Sequence, residues 1–137
     1  MSNNHEIRWI QRFNNFELAF NQLDVACEQE NYSDLEFAGL IKCFEIAFEM
    51  AWKTLKDLLF YEGYDVKSPR AAIQQSFEMG YITDPEPWLD ALESRNILSH
   101  KYDKEVAQDT EELIKCTYLP MLREVFEKLK NRRDSSK

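Results

Sequence analysis

From Trp9 onward the large apolar residues recur as Trp9, Phe13, Phe16, Phe20, Leu23 and Cys27, in alternating steps of four and three that put them on one helix face. Glu30-Asn31-Tyr32 interrupts the pattern. Ser33 to Glu36 then has the S-x-x-E form of a capping box, in which hydroxyl and carboxylate satisfy orphan backbone N–H groups reciprocally. A second seam follows: Phe37, Ile41, Phe44, Phe48, Ala51, Leu55 and Leu58, with Leu40, Cys43, Ala47, Met50 and Trp52 on other faces. A helix apolar over so much of its circumference is central, or serves an oligomer interface as well as its own core. Gly63 is placed to end it, because glycine accepts the left-handed cap conformation cheaply.

Ser68-Pro69 predicts a shorter helix, with serine as cap and proline where its missing N–H costs nothing. Ala72, Ile73 and Phe77 are its expected apolar side, and Gly80 its end. Asp84-Pro85 repeats the device for a fourth helix, from about Glu86 to His100. Asp103 is a candidate cap for the last helix, which carries Val106, Leu113, Ile114, Tyr118, Met121, Val125 and Leu129. Pro120 lies inside that pattern and is expected to bend it. The segments 1–6, which include His5, and 131–137 are polar and expected to fray. Nothing repeats at a solenoid period. The reading is all-α: one domain over 1–137, an up-and-down bundle of four to five helices.

Composition agrees. Only 3 Gly and 4 Pro leave little material for the turns of a β-sandwich or barrel, and an aromatic share of 13% is far too high for a disordered chain. The net charge of −8 argues against a non-specific nucleic-acid coat, though not against a local basic site. No apolar run approaches the ~20 residues of a membrane span, and the start lacks a signal-peptide core. Cys27, Cys43 and Cys116 form neither a disulfide framework nor a CxxC site. A cytoplasmic protein with reduced thiols is expected.

The fourth helix breaks its own pattern. Trp88, Leu92, Arg95, Ser99 and Tyr102 keep the four-three spacing, and Leu89, Asn96 and His100 follow on the neighbouring line. The stripe therefore begins apolar and turns polar. An unpaired buried guanidinium would cost several kcal/mol, so these groups line a cleft, pair internally or meet another chain. At 100° per residue Arg95 and Tyr102 are about 20° apart, whereas Arg95 and His100 are about 140° apart. Arg95 and His100 can converge only if the helix ends or distorts between them, or if copies from two protomers combine across a two-fold axis.

The chemistry such groups could carry is narrow. No Asp/Glu/His cluster has metal-ligand spacing, and there is neither a Gly-rich phosphate loop nor a G-x-S-x-G turn. No metal and no cofactor is expected. Imidazole moves protons near neutral pH, and a guanidinium fork holds a phosphate. Together they suit metal-free phosphodiester cleavage. Taken alone, the R-x4-H spacing also fits a solvated arginine and a histidine near the negative end of the helix dipole. Glu45 and Glu49 fit helix pairing with Lys42 and Lys53, and the Lys128–Arg133 cluster fits a solvated helix end.

Four segments in order, Phe44-Glu-Ile-Ala-Phe-Glu-Met-Ala-Trp-Lys53, Ser68-Pro-Arg70, Gly80-Tyr-Ile-Thr-Asp84 with Trp88, and Arg95-Asn-Ile-Leu-Ser-His-Lys-Tyr102, resemble the nucleotidyltransferase substrate-binding protein family of the HEPN superfamily. The resemblance runs from about Trp9 to Leu129. It implies a bundle that dimerises and pairs with a minimal nucleotidyltransferase in a toxin–antitoxin module. It further implies metal-independent ribonuclease chemistry at Arg95 and His100, cleft support from Asn96 and Ser99, and silencing by adenylylation of Tyr102. RNA is then the candidate substrate. Two alternatives stand beside the toxin: a non-catalytic substrate-binding subunit of the nucleotidyltransferase, and a purely structural dimerisation module.

Overall fold

The computed structural model describes residues 2–98 and 104–135, and everything regular among them is helical. The helices are α1 (Ser2–Cys27), α2 (Asp34–Tyr61), α3 (Pro69–Glu78), α4 (Glu86–Leu98), α5 (Lys104–Leu113) and α6 (Leu119–Ser135). A π-helical turn, Ile114–Tyr118, joins α5 to α6 without a break in the rod.

The expected caps form. The Ser33 hydroxyl accepts from the Glu36 N–H at 3.1 Å while the Glu36 carboxylate accepts from the Ser33 N–H at 2.9 Å, so two orphan donors are satisfied at the start of α2. Gly63 and Gly80 follow the ends of α2 and α3 at φ 99° and 86°, a region costly for any residue with a Cβ. Ser68 caps α3 through its bond to the Ala71 N–H. At α4 the expected cap shifts by one: the Asp84 carboxylate accepts from the Glu86 N–H at 3.1 Å, and Pro85 supplies the first accepting carbonyl, to Leu89.

Helix α1 runs antiparallel to α2, as the pairs Glu6–Tyr61 at 2.7 Å and Arg12–Asp57 at 3.0 Å require. It is also antiparallel to α6, with Asp24 on Arg123 at 2.7 Å and Glu17 on Arg133 at 3.1 Å. Between the three helices Phe13, Phe16, Phe20 and Phe126 form an aromatic cluster, Phe20 and Phe126 stacking at 4.6 Å. Phe13, Phe16, Phe44, Leu55, Leu58, Leu122 and Val125 have no exposed surface, and each buried side chain of this size contributes about 1.5–3 kcal/mol.

Four expectations are corrected. Phe77 is exposed, and Ala72, Ile73 and Ser76 form the buried side of α3, because that stripe centres about 90° away from Phe77. The ends are longer than the pattern suggests: α1 begins at Ser2, with His5 edge-on against Phe60 at 4.6 Å, and α6 continues to Ser135. The Lys128–Arg133 cluster is not simply solvated. Arg132 bridges Glu62 at 3.1 Å and the Tyr81 hydroxyl at 3.2 Å, and Arg133 bonds Asn14 and Glu17 while covering the Phe13 ring. Leu113 is exposed, displaced from the core by the π-turn that follows it.

Candidate functional site

Helix α4 is mounted on α2 through Trp88, which is buried and lies 5.7 Å from Phe48 between ring centres. Ala91 is wholly buried one turn on, and Asp90 and Glu93 are exposed. Seven residues after Trp88, and so within about 20° of it around the axis, comes Arg95. Arg95 and Asn96 belong to the last turn of α4, which runs to Leu98. Ser99, His100 and Tyr102 lie outside the described residues, as do the candidate cap Asp103 and the backbone course between the motif's arginine and histidine. The described part of the motif is thus its helical half.

The surroundings of that half are built by the π-turn. Tyr118, 1% exposed, stacks face to face on Phe44 at 4.9 Å, with 13° between the ring planes. Its phenol meets α4 at Ser94, whose hydroxyl hydrogen-bonds it, and Asp90 lies one helical turn earlier on the same rail. Burial raises the phenol pKa, the Ser94 hydroxyl opposes that rise, and Asp90 adds to it. Tyr118 is therefore a neutral hydroxyl at physiological pH.

The carboxylates of α2 behave as expected. Glu45 is 3.9 Å from Lys42 and Glu49 is 3.7 Å from Lys53, and Glu49 also accepts from the Trp52 indole at 3.1 Å. Among the described residues no group of His, Cys, Asp and Glu could hold a metal ion. The three cysteines are free: Cys27 and Cys43 half-buried, Cys116 exposed. Burial pushes the Cys27 thiol up to about 11, the nearby Lys115 opposing it, so it stays protonated at neutral pH.

A groove that sequence reasoning missed, of about 380 Å³, lies between the α1–α2 connection and α5, lined by Glu30, Tyr32, Asp34, Phe37, Gln108 and Glu111. Lys115 reaches across from the π-turn, donating to the Gln29 carbonyl at 2.6 Å and to Glu111 at 3.2 Å over the face of Tyr32. The groove's net charge is negative, which repels a phosphate chain. Its residues come from separate elements, so no local motif marks it.

A helical bundle whose fourth helix ends in this arginine motif defines a class, the small HEPN-type bundles. The chain belongs to the family described as nucleotidyltransferase substrate binding protein like, which matches residues 11–131. Among curated proteins it is 30% identical over 79 residues to "Probable ribonuclease HepT" of Haemophilus influenzae, covering 54% of each chain. It thus spans about half the length of that relative. Among solved structures, a protein from Thermus thermophilus matches with a TM-score of 0.74 and 27% identity, over 83% of this chain and 98% of that one. No helix among the described residues is long and apolar enough to cross a membrane.

Proposed function

We propose that the protein is a HEPN-type partner of a minimal nucleotidyltransferase and that it cleaves RNA without a metal, as the toxin of a toxin–antitoxin module. The observation that carries this is the intact Arg95-x4-His100-x-Tyr102 sequence in a chain of the nucleotidyltransferase substrate-binding family, with a relative named as a ribonuclease. In this reading the RNA 2′-hydroxyl attacks the adjacent phosphorus, His100 takes its proton, and the 5′-oxygen leaves with a proton. Arg95 holds the charge that builds on the phosphoryl oxygens. Asn96 and Ser99 support the cleft, and a homodimer supplies two such sets across its axis.

Tyr102 is the switch. Its oxygen bonds to the α-phosphorus of ATP, pyrophosphate leaves, and the phenol proton is released; the added nucleotide brings bulk and negative charge that exclude RNA. The test is RNA cleavage by purified wild type in the presence of a chelator, against Arg95→Ala and His100→Ala. Cleavage by wild type alone supports the reading, and equal inertness of all three removes it.

A second reading has its own support in the net charge of −8 and the acidic groove beside α5. There the protein binds and is modified by the nucleotidyltransferase without cutting RNA. Co-expression with that enzyme would then give an adenylyl mass gain lost in Tyr102→Phe, from a chain inert on RNA.

A further inference from the structure

The helix after the motif carries an anomaly that points back at it. Along α5 and α6 the buried positions are Thr110, Ile114, Tyr118 and Leu122, then Val125 and Leu129. Three consecutive steps of four would each overshoot the face of an α-helix by about 40° and carry the stripe out of the core. The π-turn absorbs that drift: the Leu119 N–H bonds to the Ile114 carbonyl, five residues back, so this turn holds one more residue than an α-turn. Tyr118, the last residue of the widened turn, thereby keeps its ring on Phe44 and its hydroxyl toward α4.

On α4 the phenol meets Asp90 and Ser94, one turn apart, and the next residue is Arg95. Helix α4 is thus held at two places. Trp88 on Phe48 fixes its first half, and the π-turn packs against it further on. We propose that Tyr118 is a positioning residue, whose hydroxyl, gripped by Ser94 and aimed by the π-turn, fixes the rotation of the last turn of α4 and so where the backbone of Arg95 stands. This rests on the reading in which Arg95 acts on phosphate. A pure packing role would need only the ring, since a phenylalanine would stack on Phe44 equally well; the buried hydroxyl has a partner on α4 and on no other described helix.

The test uses the full chain and two readouts. Tyr118→Phe keeps the ring and removes the hydroxyl, Ser94→Ala removes its partner, and Ser94→Thr keeps a hydroxyl there. Amide hydrogen exchange over 90–98 should quicken about tenfold in the first two, the value of one lost buried hydrogen bond, while α1 and α2 stay at wild-type rates. The double variant should exchange no faster than either single one, and Ser94→Thr should exchange like wild type. RNA cleavage should fall in step, in kcat rather than KM. Unchanged exchange over 90–98, or effects that simply add in the double variant, overturns the assignment. Faster exchange in a protein whose wild type cuts no RNA leaves the positioning role standing and removes the ribonuclease reading instead.

Discussion

The guanidinium carbon of Arg133 lies 4.8 Å above the centre of the Phe13 ring, while its Nη1 donates to Glu17 at 3.1 Å and to Asn14 at 2.8 Å. One side chain from the last helix thus closes the aromatic cluster of the first. With 14% of its surface exposed, it is shielded enough for the cation–π and charged hydrogen-bond contributions to register. Arg133→Ala should destabilise the protein by about 2 kcal/mol, and Arg133→Lys should recover less than half of that, because an ammonium cannot both cover the ring and fork to two acceptors. Chemical denaturation of the three proteins measures it; a loss under about 0.5 kcal/mol for the alanine variant would mean the pair is an ordinary surface contact.

Ser76 offers the opposite sign. It is wholly buried on α3, and its hydroxyl has no hydrogen-bond partner among the described residues. An unpaired buried hydroxyl costs free energy, and alanine is the better helix former. Ser76→Ala should stabilise by about 1 kcal/mol, read as a rise in the denaturation midpoint at unchanged slope. A fall would show that the hydroxyl has a partner after all, such as a trapped water.

The cysteines give a pH-dependent test. Burial, the largest cause, raises the Cys27 thiol from the ordinary 9.0 to about 11, so the folded state holds this proton more tightly than the unfolded chain does. The sign follows: this contribution to stability is fully present below pH 9 and is lost as pH rises from 9 toward 11. Cys27→Ala should therefore flatten the decline of stability across that window. At pH 8 a thiol reagent should modify the exposed Cys116 first and Cys27 only on unfolding. Peptide mapping after brief labelling decides it, and early labelling of Cys27 would contradict its burial.

How much of this was legible in sequence depends on the range of the interaction. The Trp9–Phe20 seam, the Ser33–Glu36 box, the Ser68-Pro69 start and the glycine ends are set within one or two helical turns, so local pattern revealed them. Phe77 against Ser76 went wrong because periodicity fixes a helix's phase only when the apolar residues are many, and α3 has few. Arg132 and Arg133 were misread because their partners, Glu62 and Glu17, are distant in sequence. For the candidate site, sequence supplied the motif and its place at the end of α4, while Tyr118 and Ser94 meet through tertiary packing that no spacing encodes. The π-turn did leave a trace, in the steps of four through Thr110, Ile114, Tyr118 and Leu122 beside Pro120.

That trace makes the π-turn testable by deletion. Removing the exposed Cys116 would convert the buried spacing after Ile114 into alternating three and four, which a plain α-helix satisfies. An α-turn cannot close under Pro120 at no cost, because the ring lacks an N–H and collides with the carbonyl four residues back. The wide turn spares the native chain this collision: Leu119 takes the five-residue bond immediately before the proline. Deletion of Cys116 alone should therefore cost about 3 kcal/mol, and adding Pro120→Ala to the deletion should restore most of it. Pro120→Ala in the full-length chain should change stability by under about 1 kcal/mol, since there the proline is already accommodated. Thermal and chemical denaturation of the four proteins measure this non-additivity. Equal cost of the deletion with and without the proline would show that the turn is held by the packing of Tyr118 on Phe44 and not by Pro120.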